Sequence, residues 1–178
     1  MIDDQTRFAW VRFLRETSGA IKCIMDFVKE RKTQAGTGSV SPILRFRTDD
    51  GGEYVNKELK EFFESEGIIH EISLPYSHES NGIAERFNRT ITTMAGAMLS
   101  DGNLPLSLWS EAIKTSVYLK NRVPHKAVKK STPYEALHGN KPRSDTFSLS
   151  GESAMYIYQR CSVALVVSYF PEHLKATS

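Results

Sequence analysis

Two stretches decide how this chain is read: Arg47-Thr48-Asp49-Asp50-Gly51-Gly52-Glu53-Tyr54 and Asn81-Gly82-Ile83-Ala84-Glu85-Arg86-Phe87-Asn88-Arg89-Thr90. Before the first, Pro42 introduces an extended run from Ile43 to Thr48, and Gly51-Gly52 lets the backbone turn sharply once that run ends. Asp49 therefore stands at the end of a strand. In the second, a polar loop from Pro75 to Gly82 leads into Ala84, Phe87, Ile91, Met94, Ala95 and Met98 at helical spacing, which puts Glu85 in the first turn of a helix. Alone, each acid has an ordinary explanation. Asp-Asp-Gly-Gly is good turn chemistry, and a first-turn glutamate gains about 0.3 to 1 kcal/mol from the helix dipole. With 35 residues between them, the spacing of a strand-end carboxylate and a helix carboxylate looks like half of a metal site.

The flanking segments give these acids a frame. Arg7 to Leu14 puts Phe8, Trp10 and Arg12 on one face and reads as a strand. Thr17 or Ser18 is placed to cap a helix whose Ile21, Ile24, Met25 and Val28 form its apolar stripe. Residues 34–39 form a loop. Leu59, Phe62 and Phe63 mark a second helix ending near Gly67, and Ile68 to Ile72 a further strand. Asp101-Gly102-Asn103 closes the helix that carries Glu85, and Pro105 precedes another over Leu106 to Lys120. From residue 7 to 122 the expected order is strand, helix, strand, helix, strand, helix, helix.

Further stretches carry a resemblance: Asp3-Asp4-Gln5-Thr6-Arg7-Phe8-Ala9-Trp10, Leu74-Pro75-Tyr76-Ser77, Trp109-Ser110-Glu111-Ala112, Leu119-Lys120-Asn121-Arg122 and Thr132-Pro133-Tyr134-Glu135. In this order, and with the two opening stretches, they resemble retroviral-type integrases, most closely the catalytic core of copia-type LTR retrotransposon integrases. The resemblance runs from Ile2 to about Pro142. It implies an α/β, ribonuclease H-like fold, a mixed sheet with flanking helices. It also implies that Asp49 and Glu85 are the second and third carboxylates of a DDE triad, catalytic and metal-ligating, with Mg²⁺ or Mn²⁺ as the cofactor. In the family the first aspartate lies on the first strand, upstream of the segment resembling Asp3 to Arg7, and nothing here matches it. The expectation is thus a partial, N-terminally truncated core at 1–142, lacking the first strand and most of the second, and a divergent tail at 143–178.

The activity implied is DNA integration by metal-dependent polynucleotidyl transfer. With two carboxylates of three, this chain alone is expected to bind metal weakly and to catalyse little, so its standing as an enzyme is left open. Asn81 either caps its helix or lines the active-site loop near DNA. Arg86 and Arg89 are ion-pair donors on the bland reading and phosphate contacts on the reading the resemblance implies. A non-catalytic, nucleic-acid-binding or integrase-interacting remnant is the alternative function. In the ribonuclease H-like sheet the missing first strand is central, so the isolated chain is expected to be aggregated, partly molten or dependent on a partner.

Composition bounds the remaining classes. The 178 residues, 40% of them hydrophobic, suit one globular module. The net charge of +2 hides an asymmetry: residues 49–71 hold eight acids and two bases, residues 112–143 eight bases and one acid. Within the basic stretch, Lys126, Lys129 and Lys130 are candidate phosphate contacts; otherwise they are a solvated surface. Two isolated cysteines, Cys23 and Cys161, suggest neither a zinc ribbon nor a disulfide framework. The apolar run Val163 to Val167 is too short to span a bilayer. The chain reads as soluble and intracellular, nuclear when acting on DNA, with DNA, a second copy or a full-length integrase as partners and no membrane.

Overall fold

A computed structural model describes residues 1–36, 41–48, 56–73, 78–129, 131–142 and the backbone of 165–166, with backbone alone for 78–81. The strand expected over Arg7 to Leu14 forms a ladder only at β1 (Val11–Arg12). Ala9 adds an antiparallel bridge to Ile2. Asn121 holds Ala9 from another direction: its Oδ1 accepts the Ala9 N–H at 2.9 Å and its Nδ2 donates to the Ala9 carbonyl at 2.8 Å. A side-chain amide thus stands where a neighbouring strand would satisfy that backbone.

Helix α1 (Ala20–Gly36) follows a 3₁₀ turn at Thr17–Gly19. Neither Thr17 nor Ser18 caps it. Glu16 occupies the N-cap position of that turn without a side-chain bond, and Ser18 Oγ donates to Glu16 instead. The buried stripe is Ala20, Cys23, Ile24, Phe27, Val28 and Arg31, with Ile21 packed beside it, so of the expected positions only Met25 lies off the core. Trp10 accounts for the added Phe27 and Arg31. It packs on Phe27 with ring centroids 5.3 Å apart, touches Phe8 at 4.8 Å, and has the Arg31 guanidinium 4.7 Å over its face.

Strand β2 (Arg45–Thr48), helix α2 (Lys57–Glu66) and strand β3 (Ile69–Ile72) form a unit in which β2 and β3 are parallel, Arg45 opposite Ile69 and Thr48 opposite Ile72. Asn56 caps α2 by accepting the Glu58 N–H at 2.7 Å, and Gly67 ends it at φ 68°, a left-handed conformation that glycine adopts without a Cβ clash. Ile24, Val28, Leu59, Phe63 and Ile68 make one core beneath this sheet, with Phe46 and Phe62 against it.

Helix α3 (His78–Asp101) begins earlier than its sequence suggests. Residues 78–82 are helical rather than loop, so Asn81 is not the cap and Glu85 closes the second turn. Gly82 is buried against the Arg86 guanidinium, where a Cβ would come within 3.2 Å of Nη1; packing at this glycine accompanies a helix where composition favours a loop. A 3₁₀ turn at Leu106–Leu108 leads into α4 (Trp109–Arg122), which packs along α3. Ile91, Ala95, Leu99, Ala112, Ile113 and Val117 form a second core with Ala9 and Val11, flanked by Phe87 and Trp109. Helix α5 (Pro133–His138) is capped by Thr132, whose hydroxyl accepts the Glu135 N–H at 3.0 Å.

The tail supplies β4 (Leu165–Val166), parallel to β1 in the register Val11 with Leu165 and Arg12 with Val166. Its partner is β1 and not β2. Among the described residues the strands form two separate two-stranded sheets, β1–β4 and β2–β3. The element order from residue 7 to 122 is the expected one.

Candidate functional site

Strand β2 delivers the chain to Asp49. Thr48, its last residue, is 7% exposed, and its hydroxyl lies 2.9 Å from His70 Nε2 on β3. The Ser73 N–H donates to the Thr48 carbonyl at 2.9 Å, carrying the parallel ladder one step past β3. His70 stacks on Phe63 with centroids 5.0 Å apart, and burial pushes its pKa down. The end of β2 is therefore held on both its side-chain and its backbone side. Asp49 itself lies outside the described residues, as do Asp50 and the Gly51-Gly52 turn.

On the opposite face of the same strand, Arg45 and Arg47 share Glu71. Arg45 Nη1 donates to Oε1 at 2.8 Å, and Arg47 Nη2 and Nε donate to Oε2 at 2.9 and 3.2 Å. Hydrogen bonds from Arg47, then Arg45, hold the Glu71 carboxyl below its usual range. The sequence reading missed this group. Its signal was the alternation of Arg45 and Arg47, which puts both on one face of a strand; the pairing with Glu71 appears only once β3 is laid alongside.

Glu85 is exposed on α3, with Arg86 and Arg89, also exposed, on the turn that follows. Thr90 and Thr93 hydroxyls donate to the Arg86 and Arg89 carbonyls at 2.8 and 2.9 Å, which keeps these short polar chains on the helix itself. Among the described residues no three His, Cys, Asp or Glu converge on a point that would hold a metal ion. Of the two expected ligands only Glu85 is described, and the side chain of Asn81 is not. The donor chemistry suits a hard ion, since both residues offer carboxylate oxygens and no sulfur or imidazole is required.

The basic loop after α4 is closed by its own backbone. The Val128 N–H donates to the His125 carbonyl at 3.0 Å, the His125 N–H to the Ser131 carbonyl at 3.0 Å, and the Ser131 N–H to the Val128 carbonyl at 2.8 Å. Lys126 and Lys129 are exposed on it, Lys129 at φ 44°, while Lys130 lies outside the described residues. Two other members of the basic stretch have structural work as well as charge. Arg122 stacks 3.4 Å from the Tyr118 ring and 4.7 Å from that of Tyr134, and Lys114 sits 5.6 Å over Phe13.

No protein-family model matches the chain. It is similar to the retrovirus-related Pol polyprotein from transposon TNT 1-94 of Nicotiana tabacum, at 38% identity over 123 residues, which cover 69% of this chain and 9% of that protein. The Pol polyprotein from transposon RE1 of Arabidopsis thaliana is 32% identical over 152 residues, covering 84% of this chain and 10% of that one. The chain thus spans about a tenth of the length of the curated relatives it matches. Among solved structures, the HTLV-2 integrase catalytic core domain in complex with magnesium, in a trimeric form, superposes with a TM-score of 0.55 at 22% identity, covering 77% of this chain and 81% of that one. At that identity the superposition speaks for the fold, and the fold it speaks for is ribonuclease H-like.

Proposed function

We propose that this chain, which belongs to the integrase catalytic cores of copia-type retrotransposons, serves the transfer of a DNA 3′ hydroxyl onto a target phosphodiester. The observation that carries this reading is the sequence match over most of the core, within which β2 ends one residue before Asp49 and α3 exposes Glu85 beside Arg86 and Arg89. Asp49 and Glu85 would hold Mg²⁺ or Mn²⁺. When bound, such an ion polarises the scissile phosphodiester and stabilises charge on the departing oxygen. The HTLV-2 core with magnesium supports a divalent ion for this reading. Arg86 and Arg89, with Asn81, hold DNA beside the carboxylates, and Lys126, Lys129 and Lys130 hold its backbone farther away. These contacts address phosphates and carry no base information.

Two carboxylates make a weak site, because close like charges can be relieved by protonation as well as by metal. Calorimetric titration with Mn²⁺ should show weak binding that Asp49→Ala or Glu85→Ala abolishes. Tight binding that survives either change would mean that the site is elsewhere. Sequence-independent DNA binding with no carboxylate-dependent metal binding is the result that favours the non-catalytic remnant. Affinity for duplex DNA should fall steeply with salt, and replacing Lys126, Lys129 and Lys130 with Ala should flatten the log–log slope by about 0.9 per lost contact. An unchanged slope would remove the loop from the interface.

The trimeric HTLV-2 core supports self-association here, and a longer integrase chain is the other protein partner this reading carries. No helix among the described residues is long and apolar enough to cross a membrane. A chain acting on chromosomal DNA works in the nucleus.

A further inference from the structure

We propose that His125, on the loop that exposes Lys126 and Lys129, is a phosphate seat in which a neutral imidazole donates its Nε2–H to a DNA backbone oxygen. The proposal rests on the nucleic-acid reading above and adds to it a residue of a different kind from the lysines. The tautomer follows from one hydrogen bond. His125 Nδ1 lies 3.2 Å from the Ala127 nitrogen, whose N–H can only donate, so Nδ1 must be the acceptor and the neutral ring carries its proton on Nε2. Among the described residues nothing accepts that second N–H.

The surroundings select an anion and keep the ring neutral. Partial burial lowers the His125 pKa, and the charges of Lys120 at the end of α4 and of Arg7 in the N-terminal turn act in the same direction. Asp4 pairs with Arg7 at 2.7 Å. Protonating Nδ1 would also turn it against the Ala127 N–H. A carboxylate on a partner protein would satisfy one such seat. The exposed Lys126 and Lys129 on the same loop continue the positive charge beyond it, which matches the repeated phosphates of a nucleic acid better than a single acid.

The test uses the full chain and a fluorescently labelled DNA duplex at low salt. His125→Asn keeps a side-chain acceptor for the Ala127 N–H and removes the Nε2–H, so the loop should stay closed while affinity falls about tenfold. In the wild type, affinity should be flat from pH 7 to pH 8.5, since a neutral donor does not titrate there. Imidazole ¹⁵N spectra of the wild type need no variant: adding duplex should move the Nε2–H signal of His125 and leave Nδ1 in the acceptor range. Equal affinity of His125→Asn and wild type, or an unmoved Nε2–H signal, overturns the seat and leaves the nucleic-acid reading standing. An affinity that falls as pH rises from 6 to 8, and does so only while His125 is present, overturns the neutral donor in favour of an imidazolium. Failure of the folded wild type to bind duplex at all overturns both readings.

Discussion

Asn121 is 4% exposed and has its amide committed to the backbone of one residue, Ala9, on both the donor and the acceptor side. Replacing it with Ala leaves two buried backbone groups without partners, at about 1 to 3 kcal/mol each. The expected loss is therefore about 2 to 4 kcal/mol by denaturant unfolding, with the two hydrogen bonds sharing one side chain and so not fully additive. Asn121→Asp keeps the acceptor but aims an oxygen at the Ala9 carbonyl, and should be at least as damaging at neutral pH. A loss within 0.5 kcal/mol for either variant would show that Ala9 finds other partners. The Leu119-Lys120-Asn121-Arg122 stretch was legible as a family match. The physical reason for its asparagine was not, because the partner lies 112 residues away. Thr48 and His70 were hidden in the same way: each is unremarkable in its own strand, and their contact exists only once the parallel register is set.

Elements were read more securely than residues, since periodicity survives small errors of phase. Helix α2 was marked by Leu59, Phe62 and Phe63 and by Gly67, and both its stripe and its glycine stop are observed. The stripe of α1 is wider than its periodicity marks, reaching Phe27 and Arg31, because the sequence does not say which side Trp10 will occupy. The start of α3 was misjudged because asparagine and glycine read as loop. Gly82 also offers a test of that start. Gly82→Ala should favour α3 by up to about 1 kcal/mol through helix propensity. Its Cβ would meet only the far end of Arg86, which can swing away. Thermal stability should rise while DNA affinity falls, through displacement of Arg86. A destabilised variant would place the helix start after residue 82, where the sequence alone would have it.

At the scale of the molecule, the two cores belong to different sets of elements: α1, α2 and the β2–β3 sheet around Phe63, and α3, α4 and β1 around Ile91. No strand ladder joins them among the described residues. The order of elements was readable from the chain, and the lack of a ladder between the two sheets among the described residues only through the resemblance. The β1–β4 pairing was readable from neither, because the apolar run in the tail matched nothing and its partner sits near the other end of the sequence. Cores bridged by the side chains of Trp10 and Arg12 on α1, with no ladder between their sheets, should lose cooperativity. Hydrogen exchange or calorimetry should resolve two transitions, with Phe63→Ala lowering one and Ile91→Ala the other, each by about 2 to 5 kcal/mol. A single transition moved equally by both variants would show that the halves fold as one unit.

The seating of Trp10 makes the joint between those halves visible to light. The chain has two tryptophans. Trp10 is enclosed by Phe8, Phe27 and the Arg31 guanidinium, at the seam between β1 and α1. Trp109 packs against the core around Ile91. The emission of a Trp109→Phe chain therefore comes from an indole beneath a cation, and parting α1 from β1 strips away the cation and admits water at the same moment. The Trp10→Phe chain is silent to that parting and reports its own core. Intrinsic fluorescence can in this way follow the seam and one core separately, with no label attached.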